Sequence, residues 1–491
     1  MTQTHFDHEM DVVSGDLWTG QRNPGRLDGQ HDQDVDDQRL LPAFKAALLS
    51  QHQSRCTDYL ASAPPELLRT LTSPSNSRPS FPTSYFESVA QPPLNEEVER
   101  LSRLYLANVH TQLHFLNGIS ADSVSLTEQC LSLAAAALGS ISIGDTVNGA
   151  WLCRLSARSM FAGLALDNRR ARNHHVILAG LIQQTVAAMI HNTDTWRHTN
   201  ITRGFPNGMM KRLYSSDNRQ EITHGRSLIT YALLIDTVRS LHFGVPASIA
   251  RSLADVPCFP QNGSFSQLLS TTIFGSSRAQ WLPYSEEDAL LLLLLIFSEE
   301  QVWRTMMFND SHQACFSGDS ASANSVGHLK SIQRTLRRWK AEYMDQASPE
   351  LKAFYHFCEM YLLFKNLESL PDVAGYRRKQ KKSRKDLQGL THTTATTSDD
   401  ENERTQASHH AWLLLEHISA RSTPAAVWLP VILYMAALVV WYDICSRQGS
   451  RSHGSMMVLH LFVKELRGMH WPCCLDMATN LEQLASQTGN V

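Results

Sequence analysis

The sequence predicts an all-α fold, and three observations carry that prediction. Apolar residues recur at steps of three and four along most of the chain beyond Asn95, the period of one helical face. No segment sustains the one-in-two alternation of a half-buried strand. Helix punctuation brackets the periodic runs. Glu96, Glu97 and Glu99 crowd a first turn, Ser285-Glu286-Glu287-Asp288 has the capping-box spacing, and Gly244 with Pro246 stops a helix.

Residues 1–94 are expected to form a disordered acidic and Pro-rich tail. Asp28 to Asp37 is acidic and polar, and the stretch from Ser62 onward is broken by Pro64, Pro65, Pro74, Pro79, Pro82, Pro92 and Pro93. Such a composition cannot bury enough apolar surface to offset its ordering entropy. The His5, Asp7, His8 and Asp11 grouping therefore reads as solvated tail rather than as a metal site.

The main helical part is expected over residues 95–375. Helices start at Asn95 and cover Leu126–Leu138, Thr146–Leu166 and Val176–Ile190; a loop rich in Asn, Gly and Pro covers Asn192–Arg219. A buried helix begins at Glu221. Ile222, Leu228, Ile229, Leu233, Leu234, Ile235, Val238 and Leu241 cover most of its circumference, so it belongs inside the protein, with Asp236 as the carboxylate among them. A core helix follows the cap at Ser285. Leu329, Ile332, Leu336, Trp339 and Tyr343 then form a coiled-coil-like seam. Lys330, Arg334, Arg337, Arg338 and Lys340 lie off that seam and read as a solvated face rather than a groove-reading helix. Leu351–Leu370 is a further helix, ended by Pro371.

Residues 376–407 read as a basic and then polar linker, and residues 408–491 as C-terminal helices of the same domain. Those helices fall near His409–Ser419, Pro424–Cys445, Met456–Met469 and Leu475–Ser486. Ala425–Tyr442 is uncharged over the minimum length of a membrane span. Pro430 within it and the charges just beyond it favour a buried core helix.

Length and composition bound the function. A chain of 491 residues suggests about two to four units, and a formal net charge of −3 excludes a protein that coats nucleic acid with its whole surface. The nine cysteines are odd in number, scattered, and lack a C-x-x-C pair, which reads as reduced core residues rather than a zinc or disulfide framework. No nucleophile elbow, zincin, P-loop or dinucleotide motif occurs. His174-His175, His409-His410 and Cys473-Cys474 are adjacent pairs whose members point to different helix faces, so each is a poor chelate. Asp236 has no nucleophile near it in sequence; the expectation is a buried ion pair with Arg226, Arg239 or a basic residue of a neighbouring helix. No catalytic, metal or cofactor site is expected, and the chain reads as a non-enzyme. One charged cluster has a functional reading. Arg377, Arg378, Lys379, Lys381, Lys382, Arg384 and Lys385 form a dense run that fits an exposed nuclear-import signal or a phosphate-contacting arm.

Several separated stretches resemble, in order, the fungal-specific transcription factor regulatory domain found downstream of zinc-cluster or Cys2His2 fingers. They are Leu101–Phe115, Ala157–Asp167, Glu221–Ile249, Leu336–Trp339, and Leu466–Pro472 with Leu475. In the third, Glu221, Asp236, Gly244, Pro246 and Ile249 match the family's order, and its arginine cluster is reduced to Arg226. The resemblance implies a helical nuclear regulator of transcription, plausible in secondary metabolism, with Asp236 as a structural acid. It also implies partners: other transcription factors or a second copy, a small-molecule effector between helices, and no membrane. Cys56 is the lone cysteine before Asn95, so no zinc finger can be assembled there, and DNA is expected to be reached through a partner. A helical scaffold without a transcriptional role is the alternative, and a helical enzyme with an unrecognised site the third reading.

Overall fold

The computed structural model describes residues 95–113, 129–166, 173–190, 195–196, 199–200, 202–214, 221–245, 247, 285–313, 320–364, 367–377, 398–421, 425–446 and 458–488. Of these residues 87% are helical, with no strand among them. The expected tail over residues 1–94 lies outside the described residues. The chain divides into two compact units, residues 1–98 with 161–168 and residues 99–160 with 169–491. The second holds nearly all the described residues.

The helices are α1 (Asn95–Asn108), α2 (Gln129–Ser142), α3 (Thr146–Leu166), α4 (His174–Ile190), α5 (Gly204–Tyr214), α6 (Glu221–Phe243) and α7 (Glu286–Gln313). They continue with α8 (Ser320–Tyr343), α9 (Pro349–Leu363), α10 (Leu370–Val373), α11 (Ser398–Ser419), α12 (Leu429–Ser446), α13 (Leu459–Arg467) and α14 (Pro472–Thr488).

The apolar patterns explain the packing. α6 is buried on every side from Ser227 to His242 and lies against α4, α5, α7 and α12. A helix apolar around its circumference has to sit inside. The seam on α8 buries Ile332, Leu336, Trp339 and Tyr343, while Lys330, Arg334, Arg337 and Lys340 are exposed. Trp339 anchors it: the indole Nε1–H donates to the Ala289 carbonyl of α7 at 2.9 Å, and the ring stacks on Tyr355 of α9. Trp471 makes the equivalent tie near the chain's end, donating to the Ala425 carbonyl at 2.9 Å. The uncharged α12 is long and apolar enough to cross a membrane, and 78% of its span is buried inside the protein. Pro430 sits in its first turn, where a missing N–H costs nothing.

α2 crosses α1 at Gly139. A Cβ built there would fall on the backbone carbonyl of Leu101, which cannot swing away as a side chain can. Gly139→Ala is therefore expected to cost about 1–3 kcal/mol through overpacking. The shift in the urea midpoint measures it, and an unshifted midpoint would mean the two helices separate freely.

Four departures from the sequence-based expectation have physical causes. The loop expected over Asn192–Arg219 contains α5. Its Gly204, Pro206, Asn207 and Gly208 read as loop, yet Pro206 lies in the first turn, where proline is compatible with a helix. Pro371 likewise opens the short α10 rather than ending a helix; the preceding helix α9 stops at Leu363. α11 begins at Ser398, inside the expected linker, because Ser398-Asp399-Asp400 supplies the acidic start of a helix. Finally, α7 runs well past its apolar stretch, since Glu300 and Arg304 are absorbed into the core as a pair.

Candidate functional site

The residues picked out on α6 occupy three separate places. Arg226 forms an ion pair with Asp288 in the first turn of α7, and Ser227 Oγ donates to Glu287 Oε1 at 3.1 Å. Here Ser285 does what its spacing predicts, its Oγ accepting from the Asp288 N–H at 3.0 Å. Glu221 is the first residue of α6, and its side chain lies outside the described residues, as does Pro246.

At the middle of α6 lies a buried polar centre. Asp236 is 4% exposed and pairs with Arg203, Nη2 to Oδ1 at 2.5 Å. Arg203 directly precedes α5, so the helix missed in the sequence brings the partner. Arg239, one turn on, is not that partner. Its guanidinium donates to Gln184 Oε1 of α4 and to Asn200 Oδ1, the latter at 3.0 Å. Burial, with the nearby Arg203 charge, pulls the Arg239 pKa down to about 10, against the pull of Asp236. Gln184 also donates to the Thr199 carbonyl at 2.8 Å, tying α4 to the segment before α5. Gly180 lets α4 and α5 approach: a Cβ on it would meet Pro206 Cγ at 2.8 Å.

The end of α6 is closed by Gly244, whose φ of 68° is the left-handed conformation and whose N–H donates to the Ser240 carbonyl at 2.9 Å. Arg377 completes the closure and departs from the exposed reading of the basic run. Its side chain is 9% exposed. Nε donates to the His242 carbonyl at 3.0 Å, Nη2 to the Leu241 carbonyl, and Nη1 to the Glu368 carbonyl at 2.7 Å. The first two are last-turn carbonyls that no intrahelical N–H can reach. Asp372 Oδ2 accepts from Nη1 at 3.3 Å and holds the charge in place against the burial that lowers its pKa. Beside it, Tyr376 Oη and His242 Nε2 are hydrogen-bonded at 2.8 Å. The rest of the run, Arg378, Lys379, Lys381, Lys382, Arg384 and Lys385, lies outside the described residues.

Two further buried centres escaped the sequence reading. Glu300 and Arg304, at i and i+4 on α7, pair at 3.0 Å, and Arg304 also donates to the Phe364 and Tyr361 carbonyls. Burial pushes the Glu300 carboxyl up to about 8, with Arg304 pulling the other way. The other centre is an imidazole cluster between α9 and α11. His356 and His410 meet Nδ1 to Nδ1 at 2.9 Å, and His417 stacks on His356 with centroids 5.3 Å apart. Burial, the neighbouring imidazoles and Lys340 bring His356 down to about 3; burial, His409 and Lys340 bring His410 down to about 4. His410 and His417 are seven residues apart on α11, so they share a face; His409 points away and is exposed. That i, i+7 spacing was the available signal, but its partner on α9 lies 54 residues away.

Among the described residues, no group of three or more His, Cys, Asp or Glu side chains could hold a metal ion. Cys130, Cys153, Cys358, Cys473 and Cys474 are buried free thiols, and burial raises Cys153 to about 12, an inert protonated form. Among the described residues that line the cavity beside Asp236, the polar groups are the Gln184 and Asn207 amides and the Arg203 and Arg239 guanidiniums, which position and pair. Comparison of the chain with protein-family models, curated proteins and solved structures finds no match.

Proposed function

We propose that this protein is a nuclear regulator of transcription whose helical domain acts through a partner or an effector rather than by reading DNA with its own finger. The observation that carries the reading is the fate of the α6 motif. Its acid makes a buried ion pair with Arg203, and its glycine takes a φ of 68° to end the helix. Both are structural uses, the roles that the resemblance implies for these positions. The buried side chains of the Asp236, Glu300 and His356 centres likewise bind helices to one another, which suits a domain that presents surfaces and transmits occupancy.

The basic run supplies import in this reading, with one amendment. Arg377 is spent on the end of α6, so the signal comprises Arg378, Lys379, Lys381, Lys382, Arg384 and Lys385. A fluorescent reporter carrying residues 376–407 should concentrate in nuclei, and replacing those six residues with glutamine should disperse it. A reporter that stays cytoplasmic contradicts the import role. For the whole protein, a tagged full chain that is excluded from nuclei contradicts the regulatory reading and favours the scaffold.

A further inference from the structure

The cavity between α4, α5 and α6 has a charge pattern that the Arg203–Asp236 pair does not balance. Gln184, Arg203, Asn207, Asp236 and Arg239 supply its polar wall, over an apolar floor that includes Ile235. It has room for about one water-sized particle.

Arg239 is the informative group. It is 2% exposed, and its hydrogen-bond partners are two neutral amide oxygens, Gln184 Oε1 and Asn200 Oδ1. Among the described residues its buried Nε–H finds no hydrogen-bond partner, and no carboxylate lies within ion-pair distance of it. A buried guanidinium hydrogen-bonded to neutral groups alone, with Asp236 acting on it only from beyond ion-pair distance, carries a desolvation cost that a closer anion would offset. Asn207, 9% exposed, also has a buried side-chain oxygen with no partner among the described residues; turned over, its amide presents N–H donors instead. Asn207 and Pro206 stand in the first turn of α5, whose N-terminal dipole end adds further positive potential.

We propose that this cavity binds one small monovalent anion of the halide class, chloride under physiological conditions. Arg239 Nε–H and the Asn207 amide donate to it, and the Arg203 charge lies alongside. Room for one water-sized particle suits a halide better than the larger sulfate or phosphate. The apolar floor favours chloride or bromide over the strongly hydrated fluoride. Because the lining comes from three helices, occupancy clamps α4, α5 and α6 together, and anion binding is read out as stability. Such binding requires no role in transcription.

Two measurements on the full chain test it together. In crystals grown in sodium bromide, an anomalous peak is expected within hydrogen-bonding distance of Arg239 Nε. In solution, thermal unfolding at constant ionic strength, with chloride replacing gluconate, should show Tm rising by several degrees and saturating, with fluoride ineffective. Asn207→Leu fills the cavity with an apolar group and should abolish the halide dependence. Should that variant not fold, the wild-type pair of measurements still decides. Water in place of bromide, or a Tm indifferent to halide, overturns the proposal.

Discussion

Asp236→Ala lowers the stability of the helical domain by about 3–5 kcal/mol, the range for removing one partner of a buried ion pair. Asp236 is 4% exposed and its Oδ1 accepts from Arg203 Nη2 at 2.5 Å. Alanine takes the carboxylate away from a guanidinium that is itself 18% exposed and close to a second one on Arg239. The urea midpoint should fall without a change in slope, since the native packing is retained. Arg203→Met combined with Asp236→Ala should cost less than the sum of the single changes, because the double variant leaves no unmatched charge at that pair. An Asp236→Ala midpoint equal to wild type would show that the pair contributes nothing.

Acid is expected to destabilise the chain through the histidines of the α9–α11 interface. His356 and His410 have ordinary values near 6.5, and burial with neighbouring positive and imidazole groups holds them at about 3 and about 4 in the folded chain. The unfolded chain therefore binds more protons between these limits, and stability rises with pH across that window and levels off above it. Falling pH erodes stability because the unfolded imidazoles take up protons that the folded pair, its Nδ1 atoms 2.9 Å apart, does not accept until lower pH. Lys340 and His409 oppose the added charge at both rings, and Lys352 opposes it at His417, where Glu416 acts the other way. The loss expected between pH 7 and pH 3.5 is about 3–5 kcal/mol, allowing for partial solvent screening of His410. Glu300 works in the opposite direction. Its folded value of about 8 lies above the ordinary 4.5, so its contribution declines as pH rises between those values. The acid limb is thus assigned to the histidines. Urea midpoints against pH for wild type and for His356→Phe with His410→Leu check this: the double variant should lose most of the acid limb, and one that keeps it in full would refute the assignment.

The sequence made the helices legible wherever a face is apolar at helical spacing. α3 begins and ends at the expected residues, and the seam from Ile332 to Tyr343 is buried as its spacing requires. Helix stops were legible where the backbone demands a special residue, as Gly244 shows. Polar signals were harder to read. The first turn of α5 resembles a loop because proline and glycine are tolerated at a helix start, and losing α5 also lost Arg203 as the partner of Asp236. Arg377 looked like the first residue of an exposed basic arm, since nothing local reveals that it reaches back 135 residues to the His242 carbonyl. The His356–His410 contact is similarly a product of tertiary packing. Burial of polar groups depends on which helices meet, and the periodicity of a single helix cannot report that.

A tethering assay puts the regulatory reading to its sharpest test. The full chain is fused to an unrelated DNA-binding domain and placed upstream of a reporter gene in a fungal host, with Asp236→Ala as the packing control. The wild-type fusion is expected to change reporter transcription several-fold in either direction, and Asp236→Ala to weaken the effect in proportion to its loss of folded protein. A stably folded, nuclear fusion that leaves transcription unchanged would contradict the regulatory role.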